Sequence, residues 1–369
     1  MSDSLENNRR DARVVKIGDV PIGGSHPIAV QSMTTTKTEN VDATVNEIHR
    51  LEEAGCEIIR VAVPHNRSVR AIPEIKERID LPLIADIHFN PRIAKYVLDQ
   101  PIDKIRINPG NIGGEESMRE VVHKTKEKGI PMRIGVNSGS VQDDLLEKYG
   151  YPSPDAMVES ALKYVDICED LDYRDLIISV KSTDVETCQE AYRRVAEETD
   201  YPLHLGVTEA GSKFYGSVKS SAGLAPLLMD GIGDTIRISL AEDPVEEIEA
   251  CYAILKATKR RVTEPEVVAC PTCGRINIDL EALVEDVEEQ LEQEGIEDPI
   301  RISVLGCAVN GPGEAQEADI GVAGQGGRGM IYRDGEEVRQ VKEEHLVDAL
   351  LEEVEKLQNE REDTEEPVS

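Results

Sequence analysis

Basic residues are scarce in this chain: 41 Lys and Arg stand against 73 Asp and Glu in 369 residues, a formal net charge of −32. Binding a nucleic-acid backbone needs a basic surface, so this balance excludes nucleic acid as a partner. It disfavours an anionic membrane surface for the same reason. Long apolar runs are missing too: nothing approaches the ~18 residues that span a bilayer. The N-terminal stretch MSDSLENNRRDAR lacks the apolar core of a secretion signal, and the chain is expected to be cytoplasmic. Cysteine is sparse and odd in number, seven in all, which argues against disulfide stapling. Cys56, Cys168, Cys188 and Cys251 are isolated and read as buried structural thiols. Within residues 14–260 no G-x-G-x-x-G follows a strand-like run, so nothing there marks a doubly wound dinucleotide-binding sheet. The acidic excess favours solubility at the cost of self-repulsion, and adaptation to high salt, where that repulsion is screened, is one expectation.

What is present is a rhythm of short β-rich runs alternating with longer amphipathic ones. Eight strand candidates stand out: PIAVQSM (27–33), CEIIRVAV (56–63), LPLIADIHF (81–89), DKIRINPG (103–110), PMRIGVNSG (131–139), DLIISVKS (175–182), PLHLGVTEAG (202–211) and DTIRISLA (234–241). Helical patterns lie between them, such as DATVNEIHRLEEAG (42–55) and TDVETCQEAYRRVAEE (183–198), and DPVEEIEACYAILKATKR (243–260) follows the eighth. Eight strands, each followed by a helix, in roughly 250 residues predict a TIM-like (β/α)8 barrel. We place it at residues 14–260, behind a flexible polar N-terminus of residues 1–13. Pro265 marks a boundary, after which the rhythm changes. A helix (278–295), a strand (300–306), two β-like runs (318–324 and 330–341) and a last helix (343–357) follow, with Asp334-Gly335 as a hairpin signal. Residues 261–357 therefore read as a smaller α+β domain and 358–369 as an acidic tail.

Chemistry in such a barrel sits at the C-terminal ends of the strands. Those ends carry Arg60, Asp86, His88, Arg106, Asn108, Arg133, Asn137, Lys181, His204, Glu209 and Arg237. Asp86 and His88, Arg106 and Asn108, and Arg133 and Asn137 are each an even number apart, which puts each pair on one strand face. If that face is the interior, several cations converge on one mouth. Each alone reads as an ordinary salt bridge or a hydrogen-bonded histidine. As a set they need an anionic partner, because unpaired buried charge is costly. A small polyanion such as a diphosphate suits Arg forks and Lys point charges. GSVKSSAGLAP (216–226) adds Lys219 and Ser220, placed where a helix could begin and receive an anion; plain capping by a serine is the alternative.

Beyond the barrel, CPTCGR holds Cys270 and Cys273, and LGCAVNGPGE holds Cys307 and Glu314. Three readings compete. A redox CxxC pair leaves Cys307 unused. A structural zinc needs a fourth His or Cys, and the only later histidine, His345, has no ligand-like spacing. An iron–sulfur cluster on three thiolates leaves one iron for a substrate. The run Asn310-Gly311-Pro312-Gly313 is expected to form a tight turn that lets backbone approach a cluster, with Glu314 near the same site.

CPTCGR and LGCAVNGPGE together resemble the 4-hydroxy-3-methylbut-2-enyl diphosphate synthase family of the non-mevalonate isoprenoid pathway. VQSMTTT, IIRVAVP, ADIHF, KIRINPGNIG, RIGVNSGS, HLGVTEAG, VKSSAGL and GIGDTIRISL are similar to that family's segments in order, over roughly residues 14–350. The resemblance implies a 4Fe-4S cluster on Cys270, Cys273, Cys307 and Glu314. It implies reductive ring opening of 2-C-methyl-D-erythritol 2,4-cyclodiphosphate to 4-hydroxy-3-methylbut-2-enyl diphosphate, with loss of water. It also implies electrons from ferredoxin or flavodoxin, and a homodimer in which one chain's cluster domain meets its partner's barrel. Arg60, Arg106, Asn108, Arg133, Asn137 and Lys219 are then the expected diphosphate holders, with Lys181, His204, Asp86 and His88 beside them and Glu209 as an acid. The chain departs from some relatives in having no room for a domain inserted between Arg237 and Cys270. The rival reading is a barrel lyase or synthase for a phosphate substrate, with a zinc-stabilised appendage.

Overall fold

The protein is seen here as a computed structural model, which describes residues 8–365 except 89, 112, 308, 310 and 316. It divides into two units, Met1–Arg261 and Val262–Ser369, each taken by itself below.

The first unit opens with a hairpin of two three-residue strands, β1 (Val15–Ile17) and β2 (Val20–Ile22). Eight parallel strands follow: β3 (Ala29–Met33), β4 (Ile58–Ala62), β5 (Leu83–Ile87), β6 (Lys104–Ile107), β7 (Met132–Asn137), β8 (Leu176–Lys181), β9 (His204–Leu205) and β10 (Thr235–Ile236). Their order is β8-β7-β6-β5-β4-β3-β10-β9, and a parallel bridge between Ile178 and Leu203 joins the two ends. The ring is the expected (β/α)8 barrel, with β9 and β10 reduced to two residues each.

Caps at the helix starts explain where each strand gives way to helix. Asn40, Ser153, Asp184 and Asp243 each accept a hydrogen bond from a first-turn N–H, and Pro154 and Pro244 stand at the first helical position. The faces so presented bury Val45, Ile48 and Leu51 from one helix and Cys188, Ala191 and Val195 from another against the strands.

The hairpin was not foreseen, and it supplies the barrel's floor. Val15, Ile17 and Ile22 pack with Ala29, Ile58, Ile84 and Ile177, residues near the starts of β3, β4, β5 and β8. Of the segment expected to fray, residues 1–7 lie outside the described residues. Residues 9–13 are tied down instead. Arg9 Nη2 donates to Asp234 at 2.8 Å, Arg10 donates to the carbonyls of Ala196, Thr199 and Tyr201, and Arg13 pairs with Asp200. Three guanidiniums thus satisfy carbonyls and carboxylates at the base of the unit, which a polar segment does only when arginines are spaced to reach them.

The second unit is a five-stranded mixed sheet, β11 (Glu266–Ala269), β12 (Arg301–Leu305), β13 (Ile320–Gly324), β14 (Arg328–Arg333) and β15 (Glu336–Lys342), in that order. The first three run parallel and the last two antiparallel. Val287 and Leu291 of helix Leu280–Gln293 and Leu350 and Val354 of helix Leu346–Glu365 cover it over Ile302, Val304, Ile320 and Val322. Asp334 and Gly335 both take positive φ, 49° and 80°, as a two-residue turn of this kind requires. The last helix runs on to Glu365, through much of the stretch read as an acidic tail; residues 366–369 lie outside the described residues.

Candidate active site

Strand register decides which side chains share the barrel interior. Asp86 stands opposite Arg106, Arg106 opposite Arg133, and Asn137 opposite Lys181. Counting by twos from these positions puts Arg60, Lys104, Arg133, Lys181, His204 and Arg237 on the same inward face. All but Arg237 are below a tenth exposed. With Arg106, seven basic side chains therefore gather around two carboxylates, Asp86 and Glu247, the latter reaching in from helix Pro244–Ala257.

The carboxylates are fully used. Asp86 Oδ1 is 3.0 Å from Arg106 Nη1, and its Oδ2 is 3.7 Å from Arg60 Nε. Burial pushes the Asp86 carboxyl up, but Arg60, Arg106 and His88 together outweigh it and hold the group well below the usual carboxylate range. Glu247 takes Arg237 at 3.1 Å and the Leu240 N–H at 3.0 Å. The remaining cations are unmatched. Among the described residues, Arg133 Nε and Nη1, Lys104 Nζ and His204 Nε2 are buried without a hydrogen-bond partner. Burial, then neighbouring positive charge, pushes Lys104, Lys181, Arg133 and His204 well below their ordinary values. Arg60 is brought to about 9, chiefly by burial and against the pull of Asp86. A core with this excess of unpaired positive charge is built to receive an anion.

Two glycines make room for it. A Cβ at Gly135 would stand 2.8 Å from Arg106 Nε, and one at Gly206 would stand 2.1 Å from Lys181 Nζ. Only bare backbone lets those cations lie across the interior.

Around the mouth, Asn108 Nδ2 donates to Ser140 Oγ at 2.9 Å, and Ser140 Oγ donates in turn to the Asn137 carbonyl at 3.1 Å. Asn108 and Asn137, on neighbouring strands, are thus tied through one serine. Glu209 is exposed in the loop after β9 and holds φ at 52°, a backbone setting rare for a non-glycine residue. Lys219 and Ser220 do not open a helix. The helix runs Lys213–Met229 with Ser212 as its N-cap, so both sit in its second turn or beyond. The serine-rich look of KSSAG belongs to a helix interior. The carboxyl of Asp184, the N-cap of helix Val185–Glu198, is lowered first by its hydrogen bonds from Thr187 and only last by the charge of Lys219.

Sequence reading missed Lys104, although it stands two residues before Arg106 on the same face and the period of two contained the signal. It named Arg237 without its partner Glu247, which no local spacing reveals.

In the second unit, Cys270 directly follows β11, and Cys307 follows β12 by two residues. Those strands are parallel neighbours, so both thiols leave at one sheet edge. Glu314 is on the short helix Gly311–Ala315 that follows. That helix replaces the expected tight turn, of which Asn310 lies outside the described residues. Among the described residues, no three of His, Cys, Asp or Glu are drawn together as a ready-made metal site. Three thiols and a carboxylate repel one another without a cation, and such sites commonly assemble with their metal. The chemistry of the set nonetheless fits a thiolate-held group. The Gly306 N–H donates to Cys270 Sγ at 3.3 Å. Arg275, first through its backbone N–H, pulls the Cys273 thiol below its ordinary value. Gly274 and Gly313 have open space where a Cβ would be. The other four cysteines are buried, and burial pushes their thiols up, to about 11 or 12.

Comparison with known proteins covers both units. The GcpE TIM-barrel domain matches residues 12–252 and the GcpE protein C-terminal domain residues 266–356. The 4-hydroxy-3-methylbut-2-en-1-yl diphosphate synthase (flavodoxin) of Anoxybacillus flavithermus is 53% identical over 353 residues, 96% of this chain and 96% of that protein. Its Bacillus licheniformis counterpart is 54% identical over 353 residues, 96% of this chain and 95% of that one. Among solved structures, a type I 3-dehydroquinate dehydratase from Clostridium difficile aligns with TM-score 0.50 at 16% identity, over 67% of this chain and 98% of its own. That likeness speaks for the barrel fold alone.

Proposed function

The chain belongs to the GcpE family, and from that premise we propose how its residues carry out the reaction its curated relatives are named for. It is an oxidoreductase, a 4-hydroxy-3-methylbut-2-en-1-yl diphosphate synthase. 2-C-methyl-D-erythritol 2,4-cyclodiphosphate takes up two electrons and two protons, its ring opens at a C–O bond, and one water leaves. Cys270, Cys273, Cys307 and Glu314 would hold a 4Fe-4S cluster, which would supply the electrons one at a time, drawn from a flavodoxin or ferredoxin.

The barrel's part is to bind and to neutralise. Arg60, Arg106, Arg133 and Lys181 hold the diphosphate oxygens. Asp86 and His88 fix the Arg106 guanidinium, and Asn108 and Asn137 bound the mouth. His204 stays neutral, with Nδ1 2.6 Å from Thr235 Oγ1. Lys219 is kept as an outer contact. Glu209, exposed on its strained loop, is the acid that delivers a proton to the departing oxygen. We further propose a cytoplasmic homodimer. The observation that carries the substrate class is Arg133: 1% exposed, with Nε and Nη1 unpartnered among the described residues. A buried guanidinium in that state calls for an anionic oxygen.

The test is anaerobic purification with iron, sulfide and zinc determined before substrate is added, followed by turnover of the cyclic diphosphate with reduced flavodoxin. About four irons per chain and conversion to the linear diphosphate are expected. A colourless zinc protein that stays so after reconstitution overturns the cluster assignment.

A further inference from the structure

Lys104 is placed where a lysine has no structural reason to be. It is wholly buried at the start of β6, opposite Ile84 of β5. Ile84 belongs to the apolar floor formed with Val15, Ile17, Ile58 and Ile177. On its other side, two residues further along each strand, lies the layer of Arg106 and Arg133. Its Nζ has no hydrogen-bond partner among the described residues. The charged groups that act on it are Arg133 on β7 and Arg60 on β4, and it acts in turn on His204 on β9; Asp86 on β5, Lys181 on β8 and Arg237 just after β10 share the same inward face. Asp86 is engaged with Arg60 and Arg106, and Arg237 with Glu247. Among the described residues no carboxylate is therefore left for Lys104, and Arg133 and Arg60 act on it as like charges.

We propose that Lys104 is a charge-compensating residue of the diphosphate site: it is a neutral amine in the empty barrel and takes up one proton from solvent as the polyanion enters. The inference rests on the diphosphate reading above. In the empty barrel an ammonium here would add to an unbalanced core, and burial already drives the group toward its neutral form. An entering diphosphate neutralises Arg133 and Arg106, removes the repulsion and adds an attractive field. The amine then gains a proton, and binding becomes linked to pH. Lys104 acts through the guanidinium layer, so it is a positioning residue rather than a catalytic one.

The experiment is calorimetric titration of the full-length, anaerobically purified protein with the 2,4-cyclodiphosphate and with inorganic pyrophosphate, near pH 8, in buffers of differing ionisation enthalpy. The expected result is uptake of about one proton per cyclic diphosphate; pyrophosphate, which gives up its own last proton on binding near this pH, reads affinity alone. In Lys104→Met the uptake is lost and affinity falls about tenfold or more, since each pKa unit gained by the lysine is a factor of ten in binding. Thermal melting of unliganded Lys104→Met is expected to be unchanged or higher, because the variant replaces an unpartnered amine by an apolar group of similar shape. Lower melting makes Lys104 a structural residue and overturns the proposal. Lys181→Met and His204→Gln separate the other buried bases: uptake that survives in Lys104→Met but vanishes in either of these overturns it as well. Binding of the cyclic diphosphate without proton uptake overturns the Lys104 proposal and leaves the diphosphate reading intact. Absence of binding by both probes overturns the diphosphate reading itself.

Discussion

Arg106 donates from one guanidinium nitrogen toward two neighbours: Nη1 stands 3.0 Å from Asp86 Oδ1 and 2.6 Å from His88 Nε2. A guanidinium has only donors, so His88 Nε2 accepts and the ring carries its proton on Nδ1. The same His88 Nε2 stands 3.4 Å from Asp86 Oδ1, so the three side chains meet around one guanidinium nitrogen.

Asp86→Ala removes the one carboxylate that Arg60 and Arg106 share. Two buried cations then lose their counter-charge, which costs about 3–5 kcal/mol. Denaturant unfolding of the unliganded protein measures it, and pyrophosphate should restore part of the loss. A change below about 1 kcal/mol, the scale of an exposed pair, would mean that the interior is wetter than its burial implies.

The depressed bases set a pH profile. Lys104, Lys181 and His204 sit below their ordinary values, so the unfolded chain binds more protons than the folded one wherever the pH lies between the two. Stability of the empty protein should therefore rise as pH increases from neutrality toward the ordinary lysine value. Asp86 opposes nothing here. Its carboxyl is depressed, so its contribution is complete above the usual carboxylate range and is lost only under strongly acidic conditions. Melting curves between about pH 6.5 and pH 9, in high salt to screen the surface, test this. A flat profile sinks it, and bound pyrophosphate should flatten it.

Gly135→Ala tests how Arg106 is aimed. The three atoms nearest the new methyl would all be side-chain atoms, Arg106 Nε at 2.8 Å and Arg106 Nη2 and Ser179 Oγ at 3.2 Å. The guanidinium must move, while the backbone need not. Stability should change by about 1–3 kcal/mol, as overpacking usually costs, while affinity for the cyclic diphosphate falls roughly tenfold, the weight of about 1.4 kcal/mol. Gly206→Ala serves as contrast. Its methyl would also strike the Arg237 carbonyl at 2.6 Å, so it should lose fold and affinity together. Equal effects at both positions would refute the distinction.

The barrel was legible because its strands are β-branched runs at regular spacing, several of them followed by a capped helix. The β1–β2 hairpin was not, since three residues are too few to show a period of two. The interior cations were legible in pairs such as Arg106 and Asn108, yet Lys104 passed unnoticed because a lysine opening a strand usually points to water. Lys219 was misplaced because serines beside a glycine look like a cap, whereas the helix simply runs through Gly216 and Gly223. For the cysteines, CPTCGR and LGCAVNGPGE gave the spacing from which a shared site is proposed. Its assembly was not legible, because a cluster supplies the force that gathers its own ligands.

Cysteine accessibility gives an independent check on that set. Cys273 is exposed and Cys270 and Cys307 are half-buried, whereas Cys56, Cys168, Cys188 and Cys251 are buried. In cluster-free native protein, a thiol alkylator should label Cys273 first, then Cys270 and Cys307, and reach the other four only on unfolding. Mass spectrometry of the labelled peptides reads the order. After anaerobic reconstitution the first three should be protected together. Early labelling of Cys168 or Cys251 would contradict the packing of the first unit.

Salt dependence follows from the charge of −32. Exposed pairs such as Lys95–Glu120 and Lys124–Asp99 weaken when salt is added, but each contributes only about 0.2–1 kcal/mol. Repulsion among unmatched carboxylates is also screened, and it acts over the whole surface. Raising KCl from about 0.1 M to about 1 M shortens the screening length from about 10 Å to about 3 Å, below the spacing of most like charges. The repulsive sum falls further than the attractive one because 73 acidic residues outnumber 41 basic ones. Melting temperature should therefore climb across that range, and diphosphate affinity should fall less steeply than for an exposed site because the cations that hold it are buried. Melting indifferent to KCl would show that the acidic surface is already neutralised by its own ion pairs.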